Sequence, residues 1–178
     1  MLIITGMSGA GKSTALRIME DNGYLCVDNL PVVFLEKFSE LTFSGNAEQK
    51  IAVCIDARSG KDLDKLPDVL DTITHRGANF RILFLDSDDA TLIRRYKETR
   101  RSHPLSPKSR IEEGIEKERR RIEPLRERAD YIIDTSRLLT RDLQSQLSDI
   151  FLKEREFKGL NISVVSFGFK YGIPEDAD

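Results

Sequence analysis

Short, mostly apolar runs recur along the chain at 2–5, 24–27, 51–55, 81–85 and 131–133. They are continuous rather than alternating, which predicts strands buried on both faces, as in a parallel sheet. Helical patterns lie between them. The stretch 12–22 ends at Gly23, a residue suited to a helix C-terminus, and Pro31 opens a second helix where its missing N–H costs nothing. Leu63, Leu66, Val69, Leu70 and Ile73 keep helical spacing up to Gly77, and Asp88 is placed to cap a fourth helix. A last helix is expected over 141–156 and a further strand over 160–167. This alternation predicts an α/β three-layer sandwich with right-handed crossovers and a mostly parallel sheet of about five to six strands.

The rhythm breaks at 94–128. Thirteen Arg or Lys stand there against seven Glu, a local net charge of +6. The piece SHPLSPKS, with two prolines, interrupts it. The segment is expected to be a helical hairpin leaving the sheet, lid-like, rather than a core element. The length of 178 residues fits one domain with a fragment of another. The division expected is 1–158 for the main domain and 159–178 for a last strand and the start of a second.

A net charge of −2 argues against a whole-surface nucleic-acid or membrane binder. Cys26 and Cys54 sit inside apolar runs without a CxxC partner and read as buried core thiols. The first residues, MLIITG, resemble neither a signal peptide nor a membrane span, so a cytoplasmic protein is expected.

Gly6, Met7, Ser8, Gly9, Ala10, Gly11, Lys12 and Ser13 match the phosphate-loop pattern GxxxxGK[ST], with Thr14 continuing into the helix. A random chain of this size shows that pattern roughly one time in a hundred or less. Its setting, after an apolar strand and before a helix, is the one its mechanics require. The glycines let backbone N–H groups turn toward phosphate oxygens, and the helix adds its positive end. Lys12 supplies a charge for the β- and γ-phosphates, and the Ser13 hydroxyl reaches Mg²⁺. A nucleoside triphosphate, ATP or GTP, with Mg²⁺ is the ligand this predicts.

Asp56 ends an apolar run, as a carboxylate that meets Mg²⁺ or its water would. A turn-capping role is the open alternative. Asp28, in VDNLP, is either a catalytic group or the cap of the helix that Pro31 opens. Arg94, Arg95, Arg100 and Arg101 lie on one helix. They read either as a solvated, salt-bridged face or as lid arginines closing on phosphate. His103 reads as a turn residue before a base. Asp134, Thr135 and Ser136 follow the last core strand, where a nucleotide base often lies or where a helix begins.

With those residues in view, the chain resembles the RapZ/YvcJ family, RNase adapter proteins with P-loop ATPase and GTPase activity. Beyond the phosphate loop, the likeness is carried by ALRIMEDNGYLCVDNLPVVFL, IDARS, FLDSDDATLIRRYKETRRSHPLS, PLRERADYIIDTS and SFGFKYGIPEDAD. It implies nucleotide binding at 6–13 and a second contact, with a guanine nucleotide, at Asp56, Ala57, Arg58 and Ser59. Family members often carry Val and Asn in place of Ala57 and Ser59. The likeness implies slow hydrolysis of ATP and GTP as a regulatory switch. It also implies that the family continues into a C-terminal domain beyond GFKYG, through which RNA or protein partners are met. Two other readings stay open, a small-molecule or nucleoside-monophosphate kinase and a non-catalytic nucleotide-gated adapter. Assembly into a homo-oligomer is also open.

Overall fold

A computed structural model of the chain describes residues 1–43, 50–56, 62–106 and 110–152. Strands Leu2–Gly6 (β1), Leu25–Val27 (β2), Ile51–Cys54 (β3), Arg81–Asp86 (β4) and Tyr131–Asp134 (β5) form one sheet in the order β2-β3-β1-β4-β5, with every pair parallel. The central strand β1 is buried along its whole length, as its unbroken apolar run requires. The strand expected over 160–167 lies outside the described residues.

The helices are Lys12–Asp21 (α1), Val32–Phe43 (α2), Leu66–His75 (α3), Asp89–Thr99 (α4), Ile111–Glu127 (α5) and Thr140–Leu147 (α6). They pair as α1 with α6, α2 with α3 and α4 with α5 in the layers around the sheet. α1 turns Ala15, Leu16, Ile18 and Met19 inward. It stops where Gly23 takes a φ of +83°, a conformation a side chain resists. α2 begins at Val32, directly after Pro31. The Asp88 carboxylate caps α4 by accepting from the Thr91 N–H at 2.6 Å. α6 is shorter than the helix expected over 141–156: a π-helical turn, Ser148–Leu152, follows it.

The largest departure is at 94–128. α5 is not an excursion from the sheet: Ile115, Ile122 and Leu125 belong to the main core cluster, and the helix packs on β1 and α4. Its charged residues hid a narrow apolar stripe. Arg119 ties α5 to the end of β4, reaching Asp86 Oδ1 at 3.0 Å, the Ser87 carbonyl at 2.9 Å and Asp89 Oδ1 at 2.6 Å. Between α4 and α5, Arg100, Arg101, Ser102 and Pro104 are exposed, while His103 and Ser106 are buried.

Both thiols are held in the protonated form. Burial, then the charge of Glu20, pushes Cys26 up to about 11, and burial pushes Cys54 up to about 12. A raised thiol value stabilises the fold below the ordinary value of 9.0, and that contribution is lost as pH rises through 11 to 12. We expect the melting temperature to decline from about pH 9 upward, and less steeply in Cys54→Ala. Calorimetry across the alkaline range checks this, and equal slopes would remove Cys54 from the account. Among the described residues, no helix is long and apolar enough to cross a membrane.

Candidate functional site

The phosphate loop joins the C-terminal end of β1 to α1. Gly6, Gly9 and Gly11 take φ values of +128°, +91° and +100°, conformations that favour glycine, and Gly6 and Gly11 are the two that the motif fixes. The loop is stitched to its surroundings: Met7 N–H donates to the Leu85 carbonyl of β4 at 3.0 Å, and Ala10 N–H to the Met7 carbonyl at 3.0 Å. The Lys12 ammonium is buried within the loop, donating to the Gly6 carbonyl at 2.8 Å and the Met7 carbonyl at 3.0 Å. Ser13 and Thr14 open the first turn of α1, whose amides lack partners within the helix.

A cleft of about 800 Å³ faces this loop. Ser8, Gly9, Gly11, Lys12, Ser13 and Thr14 line one side of it, and Asp28 and Asp56 also border it. β3 is hydrogen-bonded to β1, so Asp56 ends one strand away from the loop, while Asp28 follows β2, two strands away. Asp56 is buried and Asp28 exposed. Among the described residues, no three His, Cys, Asp or Glu cluster to hold a metal. A site of Ser13 and Asp56 still fits Mg²⁺, which keeps most of its waters and binds through phosphates plus one or two protein oxygens. Ala57, Arg58 and Ser59 lie outside the described residues.

The four arginines of α4 and its end divide. Arg95 and Arg101 line the cleft. Arg94 points to solvent, where it meets Glu98 at 3.9 Å, an exposed pair of little consequence. Arg100 takes the left-handed conformation that ends α4, at a φ of +51°, and is exposed. Arg95 has partners already. It donates to the Gly9 carbonyl at 2.9 Å, the Thr135 hydroxyl at 3.1 Å and the Thr135 carbonyl at 2.7 Å. Burial, then the neighbouring Arg94, lowers its value, yet a guanidinium stays charged. Thr135, after β5, also brings its hydroxyl to 2.9 Å from the Ala10 carbonyl. Arg95 and Thr135 thus clamp the phosphate loop to the loop after β5. Beside this clamp lies a smaller cavity of about 230 Å³, bordered by Gly11, Thr14, Leu138 and Leu143.

The sequence reading missed Glu118. It is fully buried on α5 and accepts from the Ser8 backbone N–H at 3.1 Å and the Ser8 hydroxyl at 2.7 Å. Its second oxygen faces His103 Nε2 at 2.9 Å. The signal was present, since Glu118 interrupts the spacing Ile115, Ile122, Leu125, and a carboxylate on an apolar stripe needs partners. His103 opens a turn, as expected, its carbonyl accepting from the Ser106 N–H at 3.0 Å, and it does not line the cleft. It is buried, 5.2 Å from the Tyr96 ring. Burial pushes the Tyr96 phenol up to about 12, so it remains neutral.

A family model described as the RapZ-like N-terminal domain matches residues 1–155. A "Nucleotide-binding protein" of Agathobacter rectalis is 50% identical over 178 residues, covering 99% of this chain and 61% of the relative. One of the same description from Lachnoclostridium phytofermentans is 51% identical over 178 residues, covering 99% and 62%. The chain therefore spans about three fifths of the length of the curated relatives it matches. Among solved structures, shikimate kinase from Bacteroides thetaiotaomicron aligns with a TM-score of 0.56 at 16% identity, covering 83% of this chain and 96% of that one. Shikimate kinase from Acinetobacter baumannii, in complex with shikimate, aligns with a TM-score of 0.55 at 19% identity, covering 85% and 92%. At these identities the likeness is one of fold.

Proposed function

Since the chain belongs to the RapZ-like N-terminal domain family, we propose that it binds a nucleoside triphosphate, ATP or GTP, with Mg²⁺, and hydrolyses it slowly as a regulatory switch. One observation carries the reading: a glycine-curled loop at the end of a central parallel strand, with Lys12 buried inside it, opens on a cleft that also holds Asp56. The loop amides and the start of α1 receive the phosphates, and Lys12 leaves its two carbonyls for the β- and γ-oxygens. Ser13 and Asp56 hold the ion, which neutralises charge on the phosphates. The smaller cavity beside Arg95 and Thr135 takes the nucleoside end. Names of the relatives and the family likeness support the nucleotide reading. Adapter action on RNA or protein belongs to the longer proteins of the family.

A kinase reading is favoured by Asp28. Its exposed carboxylate borders the same cleft, where an acceptor hydroxyl would need a base. Calorimetric titration with ATP and GTP, with and without Mg²⁺, tests the binding. Single-turnover hydrolysis separates a switch that hydrolyses from an adapter that does not, and turnover with added acceptors would establish a kinase. Absence of any Mg²⁺-dependent nucleotide affinity would end the proposal.

The placement of the two carboxylates makes a further prediction. Asp56→Asn should weaken Mg²⁺-dependent binding about tenfold, the loss of one charge-assisted contact, and Asp28→Asn should weaken it less. A magnesium titration with the reverse order would move the metal role to Asp28.

A further inference from the structure

Glu118 joins two parts of the cleft that are far apart in sequence. Its carboxylate takes two hydrogen bonds from Ser8 in the phosphate loop, at 3.1 and 2.7 Å, and one from His103 in the connection after α4, at 2.9 Å. The Leu105 N–H donates to His103 Nδ1 at 3.2 Å, so the ring proton sits on Nε2 and points at Glu118. All three donors meet a fully buried carboxylate, the condition under which one is tolerated. α5 is shaped for this contact. A Cβ on Gly114 would lie 2.5 Å from His103 Cγ and Nδ1 and from Ser106 Oγ. The helix carries glycine, an unfavourable choice in its interior, where the connection docks.

That connection brings Arg101 to the cleft. Arg95 borders both cavities, but Arg101 borders only the one that holds Lys12 and Asp56. Arg101 therefore lies on the cleft that the proposed function gives to the phosphates and not on the smaller cavity given to the nucleoside.

We propose that Glu118 and His103 are positioning residues: together they brace the connection against the phosphate loop and so hold Arg101 on the terminal phosphate. The inference rests on the nucleotide reading above. Its consequence is selectivity, since a brace that acts through Arg101 raises affinity for a triphosphate and leaves that for a diphosphate unchanged. A residue needed only for folding would lower both.

The test compares the affinities of the β,γ-imido triphosphate and the diphosphate of the tighter-binding nucleoside, with Mg²⁺. Arg101→Ala and His103→Gln should each reduce the preference for triphosphate about tenfold or more, the loss of one charge-assisted contact. The double variant should lose no more than either single one, because both remove the same contact. Gly114→Ala removes no polar group. It should reproduce the loss by pushing the connection away, and it takes the place of His103→Gln if that variant does not fold. Arg101 is exposed, so its alanine variant decides by itself. An unchanged preference in Arg101→Ala, or additive losses in the double variant, overturns the inference. If the parent binds neither ligand, or Lys12→Ala binds as the parent does, the nucleotide reading fails and this inference with it.

Discussion

Lys12→Ala should bind triphosphate about 10- to 100-fold more weakly than the parent, the range expected for one charge-assisted contact with an anion. The structure shows why the loss falls on binding. Among the described residues, Lys12 hydrogen-bonds the carbonyls of Gly6 and Met7, at 2.8 and 3.0 Å, and both belong to the loop itself. Lys12 itself lines the cleft, so solvent takes the place of its ammonium when the side chain is removed. The sheet pairing at Gly6 and the Met7 bond to Leu85 do not involve the side chain. The melting temperature should therefore stay within a few degrees of the parent's while affinity falls. Titration calorimetry paired with thermal melts checks both halves. A variant that binds as tightly as the parent would refute the phosphate role of Lys12.

Gly6→Ala should have the opposite signature, a loss of fold. At a φ of +128°, the added Cβ would stand 2.0 Å from the Leu85 carbonyl oxygen and 2.6 Å from the Leu85 nitrogen. Both are backbone atoms in the partner strand, so no rotamer relieves the overlap. β1 and β4 would have to part at the register pair Gly6 and Leu85, in the centre of the sheet. Mutations that combine backbone strain with core overlap cost on the order of 3 kcal/mol or more. At this chain length that lowers the melting temperature by roughly 6–12 °C. Gly11→Ala is the internal control. Its φ of +100° is also strained, but its Cβ meets only Leu143 Cδ2, at 3.9 Å. It should cost about 1–2 kcal/mol. Equal destabilisation by the two substitutions, measured by denaturant unfolding, would show that the overlap with Leu85 is not what matters.

The two glycines illustrate how the phosphate loop could be read from sequence. The pattern is local: a strand, a turn that only glycine can make, a lysine and a hydroxyl at the first turn of a helix. Each part acts on its neighbours in the chain, so spacing alone predicts it. The same holds for the strands, whose apolar runs mark all five although only β1, β3 and most of β4 are buried, the edge strands leaving Leu25 and Ile132 exposed, and for Asp88, which caps the helix directly after it. Strand order was less accessible. That β3 lies between β2 and β1, bringing Asp56 closer to the loop than Asp28, depends on crossovers that span whole helices.

The segment after β4 shows the limit most clearly. Its charge described its outer surface and masked three core residues, Ile115, Ile122 and Leu125, because a helix of seventeen residues needs only a narrow stripe to dock. Which of four neighbouring arginines enters the cleft was likewise not local. Arg95 reaches it from within α4, and Arg101 borders it after the left-handed turn at Arg100 that ends the helix, while Arg94 stays on the outer face. By itself the sequence determined the parallel α/β layers, the phosphate loop and the candidate acids, since these depend on short-range pattern and backbone chemistry. Only the tertiary structure decided that Ser8, His103 and Glu118 share one buried hydrogen-bond network, because residues 110 positions apart meet only when the chain has packed.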